Sequence, residues 1–237
     1  MATKDSSNLF STSTIWNRRS GHDTLGARVY NGLVVGYVFA GFILAALMST
    51  LTTGVDLSNG WVAVGFIVGY LAVSFTGILL VTRNHSAGLS TVGFGLVASA
   101  VGLLLGPCLA HYTGESILTA LAVTGLITLM TGLIGISIPK SLGHWAGWLS
   151  VGLVVVLCGT IGLQLLSLFM SVAPVLSVWG WLVVAFFSAL LVFDFNRAMH
   201  LPKNAVNAID AATGIFLDVA NVFIWILRLL GGGGSNN

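Results

Sequence analysis

The chain has 237 residues, of which 56% are hydrophobic and only 7% charged, and its mean hydropathy is +0.99. Soluble domains carry roughly 25% charged residues, so the composition excludes a soluble globular protein and points to a bilayer. The formal charge of +2, with no basic cluster interleaved with aromatics, gives no footing for a nucleic-acid partner.

Residues 1–28 are polar, with Lys4, Arg18, Arg19 and Arg28, and read as a polar cytoplasmic N-terminus without a cleavable leader, since no apolar stretch precedes the arginines. Long uncharged runs follow. Residues 29–55 separate Arg28 from Asp56, 57–82 separate Asp56 from Arg83, 86–110 lie between two histidines, and 116–139 lie between Glu115 and Lys140. Each is long enough for one helix of about 20 residues across the hydrocarbon. Residues 145–193 form a run too long for one span, and Ser171-Val172-Ala173-Pro174 is its natural break. The last segment, 204–230, is apolar but carries Asp210 and Asp218, and the tail 231–237 stays outside the fold argument.

Spans are therefore expected near 29–52, 61–82, 87–110, 116–138, 145–169, 174–197 and 204–230. Backbone polar groups in lipid must be satisfied within their own segment, so these are helices, and 29–230 is one all-α, seven-helix transmembrane domain. Cys108 and Cys158 lie in separate apolar segments and read as small core residues.

With seven spans, eight of the nine basic residues (Lys4, Arg18, Arg19, Arg28, Arg83, Lys140, Arg197 and Lys203) fall on one side, and only Arg228 falls opposite with Asp56 and Glu115. That asymmetry expects a cytoplasmic N-terminus, and the short N-terminus without a retention signal expects a multi-pass protein of a bacterial inner membrane. Trp61, Trp179 and Trp181 would sit at the outer interface, and Trp145 and Trp148 at the inner one. A re-entrant last segment is the second reading. Glycines at spacing four (Gly32 with Gly36, Gly65 with Gly69, Gly102 with Gly106, Gly143 with Gly147) imply closely packed helices.

A charge at mid-bilayer costs about 2.5–3.5 kcal/mol on insertion scales, which makes three acids within spans informative. Asp194 lies near the end of the sixth span. Asp218 lies about 14 residues into the seventh, roughly 20 Å of helix. Asp210 lies nearer the start of that span and reads as an additional acid, at the interface or level with Asp194. Two carboxylates close together in a low dielectric do not both ionise cheaply, so such a pair is expected to share a proton, bind a cation, or do each at a different pH. Arg83, ending the second span, is at the level to pair with Asp194, although Arg197 is an alternative partner. His22, His85, His111, His144 and His200 lie at span ends or in loops without metal-ligand spacing, so neither a fixed metal site nor a cofactor is expected.

The C-terminal stretch resembles the Bax inhibitor family, membrane proteins that share the transmembrane Bax inhibitor motif. The residues carrying it are FDFN at Phe193–Asn196, AATGIFLDVANVF at Ala211–Phe223, and LRLLGG closing the helix. Asp194 and Asp218 fall on the motif's two acids, Asn221 and Phe223 on its Asn-x-Phe, Arg228 on its arginine, and Arg83 where members carry a basic residue after the second span. Phe193 and Phe216 stand where tyrosines are usual. The resemblance implies six helices surrounding a central C-terminal seventh, an aspartate pair serving as pH sensor and gate with Arg83, supporting roles for Asn221 and Arg228, and a slow calcium leak through the bundle.

Three functions are therefore weighed. The first is a pH-sensitive calcium (cation) leak channel. The second is a non-transporting protein that binds and modulates another membrane protein, such as a membrane protease. The third is an intramembrane aspartyl protease, disfavoured because such enzymes need Gly-x-Gly-Asp where this chain has Gly214-Ile215-Phe216-Leu217-Asp218. The protein is accordingly expected not to be an enzyme, with lipid, calcium or another cation, and a membrane protein as its partners.

Overall fold

The computed structural model describes residues 24–58, 60–83, 86–167 and 169–231. Within them lie seven helices long and apolar enough to cross a membrane. They are α1 Ala27–Thr50, α2 Gly60–Arg83, α3 Ala87–Leu109, α4 Gly114–Ser137, α5 Ala146–Leu166, α6 Ala173–His200 and α7 Ala205–Gly231, with a single 3-10 turn at Gly143–Trp145 before α5. All seven expected spans are present. Lys4, Arg18, Arg19, His22, His85 and the residues after Gly231 lie outside the described residues.

The helix ends follow local chemistry. Thr113 caps α4, its Oγ1 accepting the Ser116 N–H at 3.2 Å. Pro174 sits in the first turn of α6, where a missing N–H costs nothing. Pro202 follows α6 and stops it. At the start of α7 the Asn207 N–H donates to Asn204 Oδ1 at 2.8 Å, and Asn207 Nδ2 donates to the Pro202 carbonyl at 2.7 Å. At 24 residues, α1 rises about 36 Å, enough for a hydrocarbon core of about 30 Å.

α7 is central. It packs against α1, α2, α3, α4 and α6, while α5 stands outermost and leans on α6. Its two flanks belong to two cores. Ala212, Ile215 and Val222 pack with Val183, Phe187 and Leu191 of α6. Ile209, Phe216 and Ala220 pack with Ala45, Val81, Phe94 and Val97 from the first three helices. The Phe216 ring, fully buried, lies 5.0 Å from Phe42 and 5.8 Å from Phe94 between centroids. Large apolar side chains such as Phe39, Ile67, Leu126 and Val154 instead face outward, which suits a lipid surface and no aqueous one.

Glycines let the helices approach, though not at every expected pair. Gly102 and Gly106 lie against the α1 backbone at Ala45 and Ser49. Gly77 of α2 and Gly93 of α3 oppose one another so closely that a β-carbon on either would come within 2.7 Å of the other's carbonyl oxygen. Gly32, Gly36, Gly65, Gly69 and Gly147 face open space, so in two of the four expected pairs, Gly32 with Gly36 and Gly65 with Gly69, the spacing reflects an outward face rather than an internal contact. The two cysteines are likewise exposed rather than core residues. Trp61, Trp145, Trp148 and Trp181 are exposed, but Trp179 turns inward, its indole N–H donating to Thr160 Oγ1 at 3.0 Å.

Candidate functional site at the α6–α7 contact

Helices α6 and α7 run antiparallel from the connection at 201–204, which fixes which residues meet. Asp210, Gly214 and Asp218 are spaced by four and share one face of α7. Opposite them on α6 stand Arg197 and, one turn away, Asp194. Arg197 forms an ion pair with Asp210 through Nη2 and Oδ2, both side chains largely buried. The Asp194 carboxylate lies against the bare Cα of Gly214, where a β-carbon would overlap Oδ2. Asp194 thus faces the midpoint between the other two acids, about one turn from each.

Asp218 is buried, and its Oδ2 has no hydrogen-bond partner among the described residues. Asp194 is within electrostatic reach of it. Asp194 in turn feels Arg197 and Asp210. Tyr30 of α1 is fully buried in the neighbourhood of Arg197 and Asp210, and its hydroxyl also lacks a partner. Such orphaned polar atoms in a dry interior are costly to keep.

The expected pairing of Arg83 with Asp194 is not what the fold makes. Arg83 ends α2 exposed, and the cation beside Asp194 is Arg197, three residues along the same helix. Nor does Arg197 form its ion pair with Asp194; its partner is Asp210. Asn221, expected as a supporting residue, donates among the described residues only to the Leu217 carbonyl of its own helix, at 2.8 Å. Arg228 lies at the opposite end of α7, where it donates to Gln164 Oε1 at 3.1 Å and stacks 5.2 Å from the Trp225 ring centroid. Beside it, burial pushes the Tyr112 phenol up, with Arg228 opposing.

A residue the sequence left as a motif position organises the near end. Asn196 is fully buried. Its Oδ1 accepts the Leu142 N–H at 2.9 Å, and its Nδ2 donates to the carbonyls of Ile138 and Lys140 at 3.0 and 3.2 Å. The connection between α4 and α5 is thus tied to α6 two residues beyond Asp194. Among the described residues no three His, Cys, Asp or Glu side chains gather to hold a metal.

A family model described as "Inhibitor of apoptosis-promoting Bax1" matches residues 23–236, nearly the whole chain. No curated protein matches it.

Proposed function

The chain belongs to the Bax inhibitor family, and from that premise and the geometry above we propose that it is a pH-sensitive cation leak, calcium being the permeant ion, gated where α6 meets α7. Asp194 and Asp218 form the proton-sharing gate. Arg197 supplies the counter-charge assigned from the sequence to Arg83, and Asp210 holds Arg197 in place. The observation that carries this reading is the buried Asp218 Oδ2, without a hydrogen-bond partner among the described residues and within electrostatic reach of Asp194. Two like charges in low dielectric repel, and one shared proton removes the repulsion, so protonation changes how α6 and α7 hold together.

We take the membrane to be a bacterial inner one, and the basic residues favour an N-terminus inside. Arg28, Arg83, Lys140, Arg197 and Lys203 lie at one end of the bundle and Arg228 at the other. The test is calcium flux into liposomes between about pH 5 and 8 for the wild type, Asp194→Asn and Asp218→Asn. A pH-dependent step is expected in the wild type and not in either variant. A wild-type flux indifferent to pH overturns the gate.

A second reading, a protein that binds another membrane protein, is favoured by the outward glycines of α1. Gly32, Gly36 and Ala40 line a shallow groove of about 270 Å³ with Leu33 and Tyr37, and small residues let a second helix approach closely. Absence of flux at any pH, together with a protein partner lost on Gly36→Leu, would select it.

A further inference from the structure

His200 closes α6, and its imidazole lies between two backbone carbonyls. Nδ1 is 2.8 Å from the oxygen of Asn196, one turn back on the same helix. Nε2 is 3.1 Å from the oxygen of Pro139, in the connection that follows α4. A carbonyl oxygen only accepts, so each of these contacts is a hydrogen bond only if the ring nitrogen carries a hydrogen. Neutral imidazole has one N–H and imidazolium has two. In the neutral ring one nitrogen would turn its lone pair toward a carbonyl lone pair, and that contact would repel.

The surroundings bear on the same balance. His200 stands at a helix C-terminus, where the aligned peptide dipoles favour a cation. The charged and titratable groups nearest it along the surrounding elements are Lys140 and His144 in the α4–α5 connection, Asp194 and Arg197 on α6, Lys203 after α6, and Asp210 near the start of α7; Asp218 and Arg228 lie further along α7. Asp210 is taken by Arg197, and among the described residues no carboxylate pairs with the ring. The side chain is exposed at the end of α6. Histidine is the side chain whose charge changes between about pH 5 and 8.

We propose that imidazolium His200 is a clamp that fastens the α4–α5 connection at Pro139 to the end of α6, and that the clamp opens when the ring loses its proton. Asn196 keeps its own bonds to Ile138, Lys140 and Leu142, so opening loosens the connection by one anchor and leaves the bundle intact. The clamp is separate from the aspartate gate and stands whether or not the bundle passes ions.

The experiment is hydrogen–deuterium exchange of the full chain in nanodiscs at about pH 5.5 and 8, corrected for the intrinsic pH dependence of exchange, following peptides that cover residues 137–145. The wild type should be protected more at the lower pH by about 2- to 10-fold, the range one net hydrogen bond supplies. His200→Gln, which keeps a polar side chain but does not titrate, should show equal protection at both. Equal protection in the wild type, or a pH dependence retained in His200→Gln, overturns the clamp. The ¹⁵N shifts of His200 in the wild type give a readout that needs no variant. Two protonated ring nitrogens in the protected state support the clamp, and one protonated nitrogen overturns it.

Discussion

Asp194 reaches across from α6 and lays its carboxylate on the backbone of α7 at Gly214, a position where any side chain would occupy the same space as Oδ2. The glycine is therefore the seat of the acid. One turn along the same face lies Asp218, and one turn the other way lies Asp210, already engaged by Arg197.

Gly214→Ala should displace the Asp194 carboxylate and destabilise the bundle by about 1–3 kcal/mol, the usual cost of overpacking a filled interior. Gly125→Ala is the control, because nothing lies within 4 Å of a β-carbon there and alanine gains up to about 1 kcal/mol of helix propensity. Thermal unfolding in detergent distinguishes them. Equal melting temperatures for the two variants would show that Asp194 moves aside without cost.

The ion pair makes an asymmetric prediction. Asp210→Leu or Arg197→Met alone strands a largely buried charge and should cost about 3–5 kcal/mol. The double variant Arg197→Met with Asp210→Leu removes both charges and should recover most of that loss. Unfolding free energies in a double-mutant cycle test this, and simple additivity of the single losses would mean that the two side chains do not act as a pair.

Asn196 and Asn221 are both asparagines of the family motif region, yet they should respond differently. Asn196→Leu leaves the Leu142 N–H and the carbonyls of Ile138 and Lys140 without their buried partner, at about 1–3 kcal/mol for each group that water does not reach. Asn221→Ala removes one bond to its own helix and should cost no more than about 1 kcal/mol. Denaturation midpoints measured side by side are the check, and a larger loss at Asn221 would contradict the assignment.

In the connection between α1 and α2, the Asp56 carboxylate accepts the Ser58 N–H at 2.8 Å and the Ser58 hydroxyl at 2.9 Å. These bonds hold its carboxyl below the ordinary carboxylate value. A lowered folded-state value means that the stabilisation is present above the unfolded value, about 3.9, and is lost as pH falls through the folded one. A ¹³C titration of Asp56 should therefore show a midpoint below the ordinary value, and Ser58→Ala should move it upward. An unmoved midpoint in that variant would assign the whole effect to the backbone N–H.

The bundle was legible in the sequence because each span is a local property. Arg28, Asp56, Arg83, Glu115 and Lys140 punctuate apolar runs whose length alone sets one helix each, and Pro174 divides the sixth span from the fifth. The two key acids were legible for the same reason, since Asp218 is conspicuous wherever it falls in such a helix. The outward glycines were misjudged because spacing of four marks one face of a helix without saying what lies opposite: Gly32 and Gly36 look out, whereas Gly77 and Gly93, which have no such spacing, meet across α2 and α3.

Local composition and period thus determined by themselves that the chain makes seven membrane-length helices and carries acids in the last two. Partnership was decided only by the antiparallel register of α6 against α7. That register set Arg197 opposite Asp210 and Asp194 opposite Gly214, and left Arg83 exposed at the end of another helix. Hydrophobicity drives helices into lipid without saying how they face one another, and in that solvent the choice falls to close backbone approach at small residues and to pairing of the few buried charges.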